Sequence, residues 1–288
     1  MVFKVKKIYV FVLVASLLLV SGIFAVPHSS IETSAQAKKE LPVVMYHQIT
    51  KSISRAGNYT ITLNQLENDL KYLKEKGYET IDTAQLLAHV KSGAVLPEKP
   101  IMLTFDDGYE TVYSYLLPLL EKYDMCAVAS VVGSFTDMYT EADDHNLSYS
   151  YMNWDEIIEL SAGDRIEIQN HSYDLHKTDS HGRKGAQKVS SETVQEYSAF
   201  MNEDVGKMQA LLTEKTGKKP TAFTYPFGSY SKESKQVLEA MGFEAAFVCE
   251  ARINLIDCED TQWLYRIGRF NRPHGISSAQ FFEKMNVV

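Results

Sequence analysis

The chain has 288 residues, of which 45% are apolar and 23% charged, and it carries a net charge of −8. That balance excludes disorder along most of the length, because there is ample apolar surface to bury. The acidic excess argues against a nucleic-acid partner, which requires a basic surface, and three cysteines exclude a disulfide framework.

Residues 1–37 read as an export segment rather than part of the fold. Lys4, Lys6 and Lys7 form a positive start, residues 8–20 are apolar apart from Ser16, and Ala35-Gln36-Ala37 offers small residues to a signal peptidase. Extended through Val26, the apolar run reaches a length that spans a bilayer, so a retained membrane anchor is the alternative. In either case the remaining chain is expected to be secreted or to sit on the extracellular face of the cell membrane.

The mature part alternates short apolar runs with amphipathic stretches. Residues 41–47 (LPVVMYH) read as a buried strand. A helix follows, with Thr62 as N-cap, Gln65 completing a capping box, Leu63, Leu66, Leu70 and Leu73 on one face, and Gly77 at its end. Residues 100–105 (PIMLTF) form a second strand, 111–123 a helix interrupted by Pro118, and 126–132 a third strand. Asn153 caps a helix that stops near Gly163, and 165–169 returns as a strand. A long helix is expected over 192–216, a strand over 221–225, a helix from Ser231 and a strand over 244–248. A last strand over 263–270 precedes a helix capped by Ser277 or Ser278. Such alternation predicts an α/β fold, a parallel sheet covered by helices. About eight strands suit a closed or distorted barrel, in which chemistry gathers where strands end.

Four strand ends carry polar clusters. Thr104-Phe105-Asp106-Asp107-Gly108 runs a buried strand into two adjacent carboxylates. Both acids can reach one cavity with different duties, or the pair is a plain turn that caps the next helix. Asn170-His171-Ser172-Tyr173-Asp174-Leu175-His176 follows the strand RIEIQ. Its two histidines would diverge on a helix but can converge in a loop. Two imidazoles and a carboxylate make a divalent-metal site with open positions, and two solvated histidines are the alternative. His145 and His181 read as solvated. Tyr225-Pro226-Phe227-Gly228 makes a tight turn that can present a backbone N–H and aromatic faces. Arg266 and Arg269 lie three apart on the expected last strand, so one can point into a polar pocket while the other is a surface group. Cys249 and Cys258 are close enough in sequence to pair in an oxidising compartment, although two ordinary small residues are the preferred reading. Cys126 reads as core.

In this order the clusters resemble the polysaccharide deacetylase family, the NodB-homology or carbohydrate esterase family 4 domain. TFDDG is similar to its first motif, the segment opened by His171-Ser172 and closed by His176 to its second, and YPFG to its third. The resemblance covers about residues 98–288 and implies a single catalytic domain, a distorted (β/α) barrel of seven to eight strands. Residues 38–97 then form a strand–helix extension packed on it. It further implies Asp106 as general base, and Asp107, His171 and His176 as ligands of zinc or another divalent ion. The Phe227 N–H becomes an oxyanion donor, and Tyr225, Pro226 and Phe227 line a sugar groove. The implied reaction hydrolyses the acetamide of N-acetylglucosamine units in a polysaccharide, the implied partner.

Two departures stand out. Thr224 occupies the place where many members carry an arginine that steadies the base, and Arg266 the place of a histidine that serves as general acid. An arginine stays protonated and is a poor proton donor. His47, ending the strand LPVVMYH, is a candidate replacement, and a hydrogen-bonded rim residue is its plainer reading. The histidine spacing and both departures resemble the subgroup acting on poly-N-acetylglucosamine. Peptidoglycan, chitin fragments and O-acetyl esters are rival substrates, and a carbohydrate-binding protein that has lost catalysis is the rival class.

Overall fold

Apolar runs with no polar face cannot leave either side in water, and here they become the strands of a parallel sheet. The computed structural model describes residues 38–179 and 182–287. The export segment read over 1–37 and His181 lie outside them. In chain order the sheet strands are β1 (Val43–Tyr46), β2 (Glu79–Thr80), β3 (Pro100–Phe105), β4 (Ala127–Val131), β5 (Ile166–Asn170), β6 (Ala222–Thr224), β7 (Ala245–Phe247) and β8 (Phe270–Asn271). Seven of them run β7-β6-β5-β4-β3-β1-β8, and β2 lies off this path against the start of β3. Every described pairing among them is parallel. All residues of β3 and β4 are buried.

The sheet curls because its last segment touches both edges. Ile267 pairs in parallel with Phe247 of β7, and three residues later Phe270 and Asn271 pair with Val44 and Met45 of β1. The result is the expected distorted barrel. Residues 38–97 contribute to the sheet itself, since β1 lies between β3 and β8.

The helices are α1 (Leu63–Glu75), α2 (Thr83–Ser92), α3 (Leu117–Tyr123), α4 (Gly133–Ala142), α5 (Trp154–Ala162), α6 (Val194–Thr216), α7 (Ser234–Ala240) and α8 (Ser278–Glu283). On α1, Leu66, Leu70 and Leu73 are fully buried, each stabilising the fold by roughly 1.5–3 kcal/mol. Thr62 caps α1 by accepting from the Gln65 N–H at 3.1 Å. The Gln65 side chain does not return to complete the box; its amide donates to the Pro273 carbonyl at 3.0 Å and ties α1 to the end of the chain. Arg272, just past β8, reinforces that tie with two bonds to Asp69 of α1, which also accepts from Tyr46 Oη. The end of β1 is thereby anchored.

Several elements differ from expectation. The helix read over 111–123 is a π-type turn, Val112–Leu116, followed by α3. Pro118 falls in the first turn of α3, where its missing N–H is harmless. The helix read from Ser231 begins at Ser234. The strand read over 263–270 is largely a 3₁₀ helix, Thr261–Arg266, whose start is capped by Asp260 accepting from the Gln262 N–H. Cys249 and Cys258 are free thiols, as is Cys126. Cys126 is partly buried, and burial pushes its thiol up to about 11.

Candidate active and metal site

The polar clusters meet at the C-terminal ends of the strands. Asp106 and Asp107 follow β3, His171 follows β5, the Tyr225–Phe227 turn follows β6, and His47 follows β1. Six described non-glycine residues have left-handed backbone; Asp124, Asp143 and Asn286 lie away from the site, and Asp107 (φ 71°), Ser172 (φ 79°) and Phe227 (φ 59°) lie in it. One falls in each of the three motifs. Backbone held in such conformations collects where geometry must be dictated by the surroundings.

Asp106 is buried, and its partner is Arg269. The guanidinium gives Nη1–Oδ1 at 2.7 Å and Nη2–Oδ2 at 2.8 Å, and also donates to Thr104 Oγ1 and to the Val248 carbonyl. Arg269 is fully buried. Burial pushes the Asp106 carboxyl up, but the charge and hydrogen bonds of Arg269, together with the charges of His171 and His47, outweigh it, and Asp106 is held below the usual carboxylate range. Arg269 therefore pairs with Asp106 in the way that the resemblance assigned to an arginine at the place of Thr224. Thr224 Oγ1 instead lies 2.7 Å from Ser130 Oγ.

Asp107, His171 and His176 converge as the sequence suggested. Asp107 Oδ1 lies 3.4 Å from His171 Nε2 and 3.1 Å from His176 Nε2. This oxygen is buried and no hydrogen bond reaches it. His171 Nδ1 lies 2.7 Å from the Thr224 carbonyl, an acceptor only, so Nδ1 carries the proton and Nε2 faces Asp107 with a free lone pair. That is the tautomer a metal ligand needs. An orphaned buried carboxylate oxygen facing two imidazole nitrogens fits a divalent cation. Burial raises the Asp107 carboxyl, yet the two imidazoles hold it far below the ordinary value.

The loop bearing His176 is held by residues that sequence reasoning missed. Asp204 of α6 accepts from the N–H groups of Tyr173 and Asp174 at 2.8 and 2.9 Å. Asp137 of α4 accepts from Tyr173 Oη and from the Trp154 indole, both at 2.7 Å. Gly133 gives Tyr173 its room, since a Cβ there would stand 2.5 Å from the ring.

Two site expectations need correction, and the alternative left open for the two arginines is decided. Tyr225 and Pro226 do not line an open groove: both are buried, and Tyr225 packs edge-on against Phe223 in the core. Of the turn, Phe227 alone is exposed, with its ring 4.3 Å from that of His176. Arg266 lies on the 3₁₀ helix at the surface, where it pairs with Glu250; of the two arginines, Arg269 is the one that points inward. His145 is not simply solvated, because it contacts Glu110 and Asp143.

His47 stands beside the cluster. Burial lowers its pKa; the charges of Asp106 and Asp107 push back up, and those of Arg269 and His171 down. Its Nδ1 is buried without a hydrogen-bond partner, and its ring meets Tyr59 edge-on at 4.9 Å. An aromatic band continues outward from Phe227 and His176 through Phe135 and Tyr151 to Tyr109.

Comparison with known proteins agrees with the motifs. The family model described as polysaccharide deacetylase matches residues 93–246. The poly-β-1,6-N-acetyl-D-glucosamine N-deacetylase of Escherichia coli K12 is 25% identical over 227 residues, covering 72% of this chain and 34% of its own length. The protein of that name from Staphylococcus aureus strain MSSA476 is 25% identical over 195 residues, covering 68% and 63%. The chain thus spans about a third of the first relative and under two thirds of the second. Among solved structures, Streptococcus pyogenes deacetylase PplD in complex with acetate superposes with a TM-score of 0.70 at 18% identity, covering 86% of this chain and 99% of that one. IcaB from Ammonifex degensii gives 0.68 at 24%, covering 83% and 94%. These two likenesses establish the shared fold.

Proposed function

The chain belongs to the polysaccharide deacetylase family, and from that membership we propose that it hydrolyses the N-acetyl groups of a poly-β-1,6-N-acetylglucosamine polymer. The names of the curated relatives support the polymer. The observation that carries the reading is one strand end presenting two adjacent acids in different settings. Asp106 is locked to an arginine, and Asp107 is turned toward two imidazoles.

Asp107, His171 and His176 would hold the cation, with zinc the best match to two nitrogens and one oxygen. When bound, such an ion polarises the acetyl carbonyl and lowers the pKa of water beside it. Asp106, kept ionised by Arg269, accepts a proton from the attacking water. Arg269 cannot release its own proton and so fixes the carboxylate without competing for that role. The Phe227 N–H donates to the oxyanion as the carbonyl carbon becomes tetrahedral. His47 protonates the amine as the C–N bond breaks. The products are acetate and a free amino group on the polymer. Phe227 and the aromatic band beyond it supply faces on which sugar rings pack. Residues 1–37 act as an export signal or a retained anchor, placing the enzyme outside the cytoplasm with its substrate.

The test is to incubate the purified full chain with zinc and acetylated poly-β-1,6-glucosamine, and to count acetate and new amines. Equal amounts of each support the reading. A chain that binds the polymer and releases no acetate with zinc or any other divalent ion would be a carbohydrate-binding protein.

A further inference from the structure

A second set of donors lies three residues along the chain from Asp107. Glu110, His145 and Glu156 each offer one ligand atom, and these atoms all lie within 4.8 Å of one another. They come from three places: the loop after β3, the connection between α4 and α5, and the first turn of α5.

Both carboxylates are buried, Glu110 at 4% and Glu156 at 8% exposure. Among the described residues neither is paired with a lysine or arginine, and His145 is the base that faces them. Two buried acids side by side need a positive charge or a proton to be tolerated.

The hydrogen bonding is also incomplete in a specific way. Glu110 Oε2 is buried with no partner, and so is Ser150 Oγ; Ser150 is the residue whose carbonyl accepts the Glu110 N–H. His145 Nε2 lies 3.3 Å from Asp143 Oδ1, and its Nδ1 lies 2.9 Å from Glu110 Oε1. Both facing atoms are carboxylate acceptors. The half-exposed ring donates to both when it is protonated; when it is neutral and donates from Nε2 to Asp143, it turns a bare Nδ1 toward Glu110. A carboxylate orienting the far nitrogen of a histidine, so that the near one faces a cation, is the usual support of a metal ligand.

We propose that Glu110, His145 and Glu156 bind a second divalent cation, separate from the one assigned to Asp107, His171 and His176. One imidazole and two carboxylates suit a first-row ion such as Zn²⁺ or Mn²⁺. The ion would tie the loop after β3 to the connection that precedes α5. Tyr109 and Tyr151 lie on those two segments with their rings stacked at 4.6 Å, so the ion holds the outer part of the aromatic band in place.

The test strips the full chain with a chelator and measures Zn²⁺ uptake by equilibrium dialysis and elemental analysis. Wild type should take up two equivalents, and Glu110→Gln or His145→Ala one. In the His171→Ala/His176→Ala background one equivalent should remain, and adding Glu110→Gln should remove it. Glu156→Gln keeps a side chain able to complete the α5 capping box, so it tests the site with the helix start preserved. In the same background it should weaken Zn²⁺ binding at least tenfold and abolish the Zn²⁺-dependent rise in Tm. No uptake in the His171→Ala/His176→Ala protein, or uptake that survives Glu110→Gln, would overturn the proposal. Either result leaves the assignment of the first site untouched.

Discussion

Arg269 and Asp106 are 163 residues apart in sequence and form a two-pronged, fully desolvated ion pair. Planar guanidinium and carboxylate match here in a way that a lysine cannot reproduce. Arg269→Lys is expected to keep the fold but misplace the base, lowering kcat/KM by about a hundredfold. The sign of the pH effect follows from the pair. Arg269 holds Asp106 down, so weakening the pair raises the carboxyl pKa and moves the acidic limb of the kcat/KM profile to higher pH. An unmoved limb would separate Arg269 from the base. Arg269→Ala strands a buried carboxylate, at a cost of about 3–5 kcal/mol. Because the folded-state pKa of Asp106 is depressed, the pair's stabilisation is present above the unfolded carboxyl value and disappears as pH falls through the folded one. The wild-type advantage in Tm should therefore shrink in acid.

The neighbouring acids are expected to respond differently to the same substitution. Asp107→Asn should lose metal affinity, because it removes the charged oxygen that faces His171 and His176. Asp106→Asn should keep the metal and lose about a hundredfold or more in turnover, as removal of a general base does. Metal content by elemental analysis and acetate release on the same samples check the asymmetry. Equal metal loss in both variants would mean the duties are misassigned.

Much of this site was legible because short-range rules decide it. PIMLTF reads as a strand buried on both faces, and a strand that runs into Asp-Asp-Gly must end where it does. Arg269 was only half legible. Its spacing from Arg266 suggested that one of them turns inward, but its partner follows a strand more than half the chain away, and no local pattern reports such a pairing. The 3₁₀ helix Thr261–Arg266 was masked by the apolar residues Trp263, Leu264 and Ile267, which pack against the core from a helical turn as readily as from a strand. α4 escaped because Val132, at its N-cap, makes no side-chain cap, and Gly133 at its first position is a poor helix former. Nothing local sets Asp204 apart from the other acids of the long helix; its grip on the His176 loop is a tertiary fact.

That grip leads to a third expectation. Asp204→Ala removes the acceptor of two backbone N–H groups in the His176 loop. Metal affinity should fall about 10- to 100-fold, as it does when the outer support of a ligand is lost, while circular dichroism stays native. Unchanged Zn²⁺ affinity would show that His176 is positioned without the clamp.

His47 is expected to act as the proton donor. His47→Ala should cost about a hundredfold or more in turnover with metal content unchanged. A donor works only when protonated, so activity should decline as pH rises through its pKa, which burial lowers from the ordinary imidazole value. That limb should vanish in the variant. Near-native turnover with the limb intact would make His47 a rim residue that merely packs against Tyr59.

The most direct measurement of the central claim is acetate release from acetylated poly-β-1,6-glucosamine by chelator-stripped protein, before and after Zn²⁺ is restored. Wild type and Asp106→Asn should be run side by side. The account predicts no acetate from the stripped wild type, release once Zn²⁺ is returned, and metal uptake without release in Asp106→Asn. Undiminished release by the stripped protein, or equal release by Asp106→Asn, would contradict it.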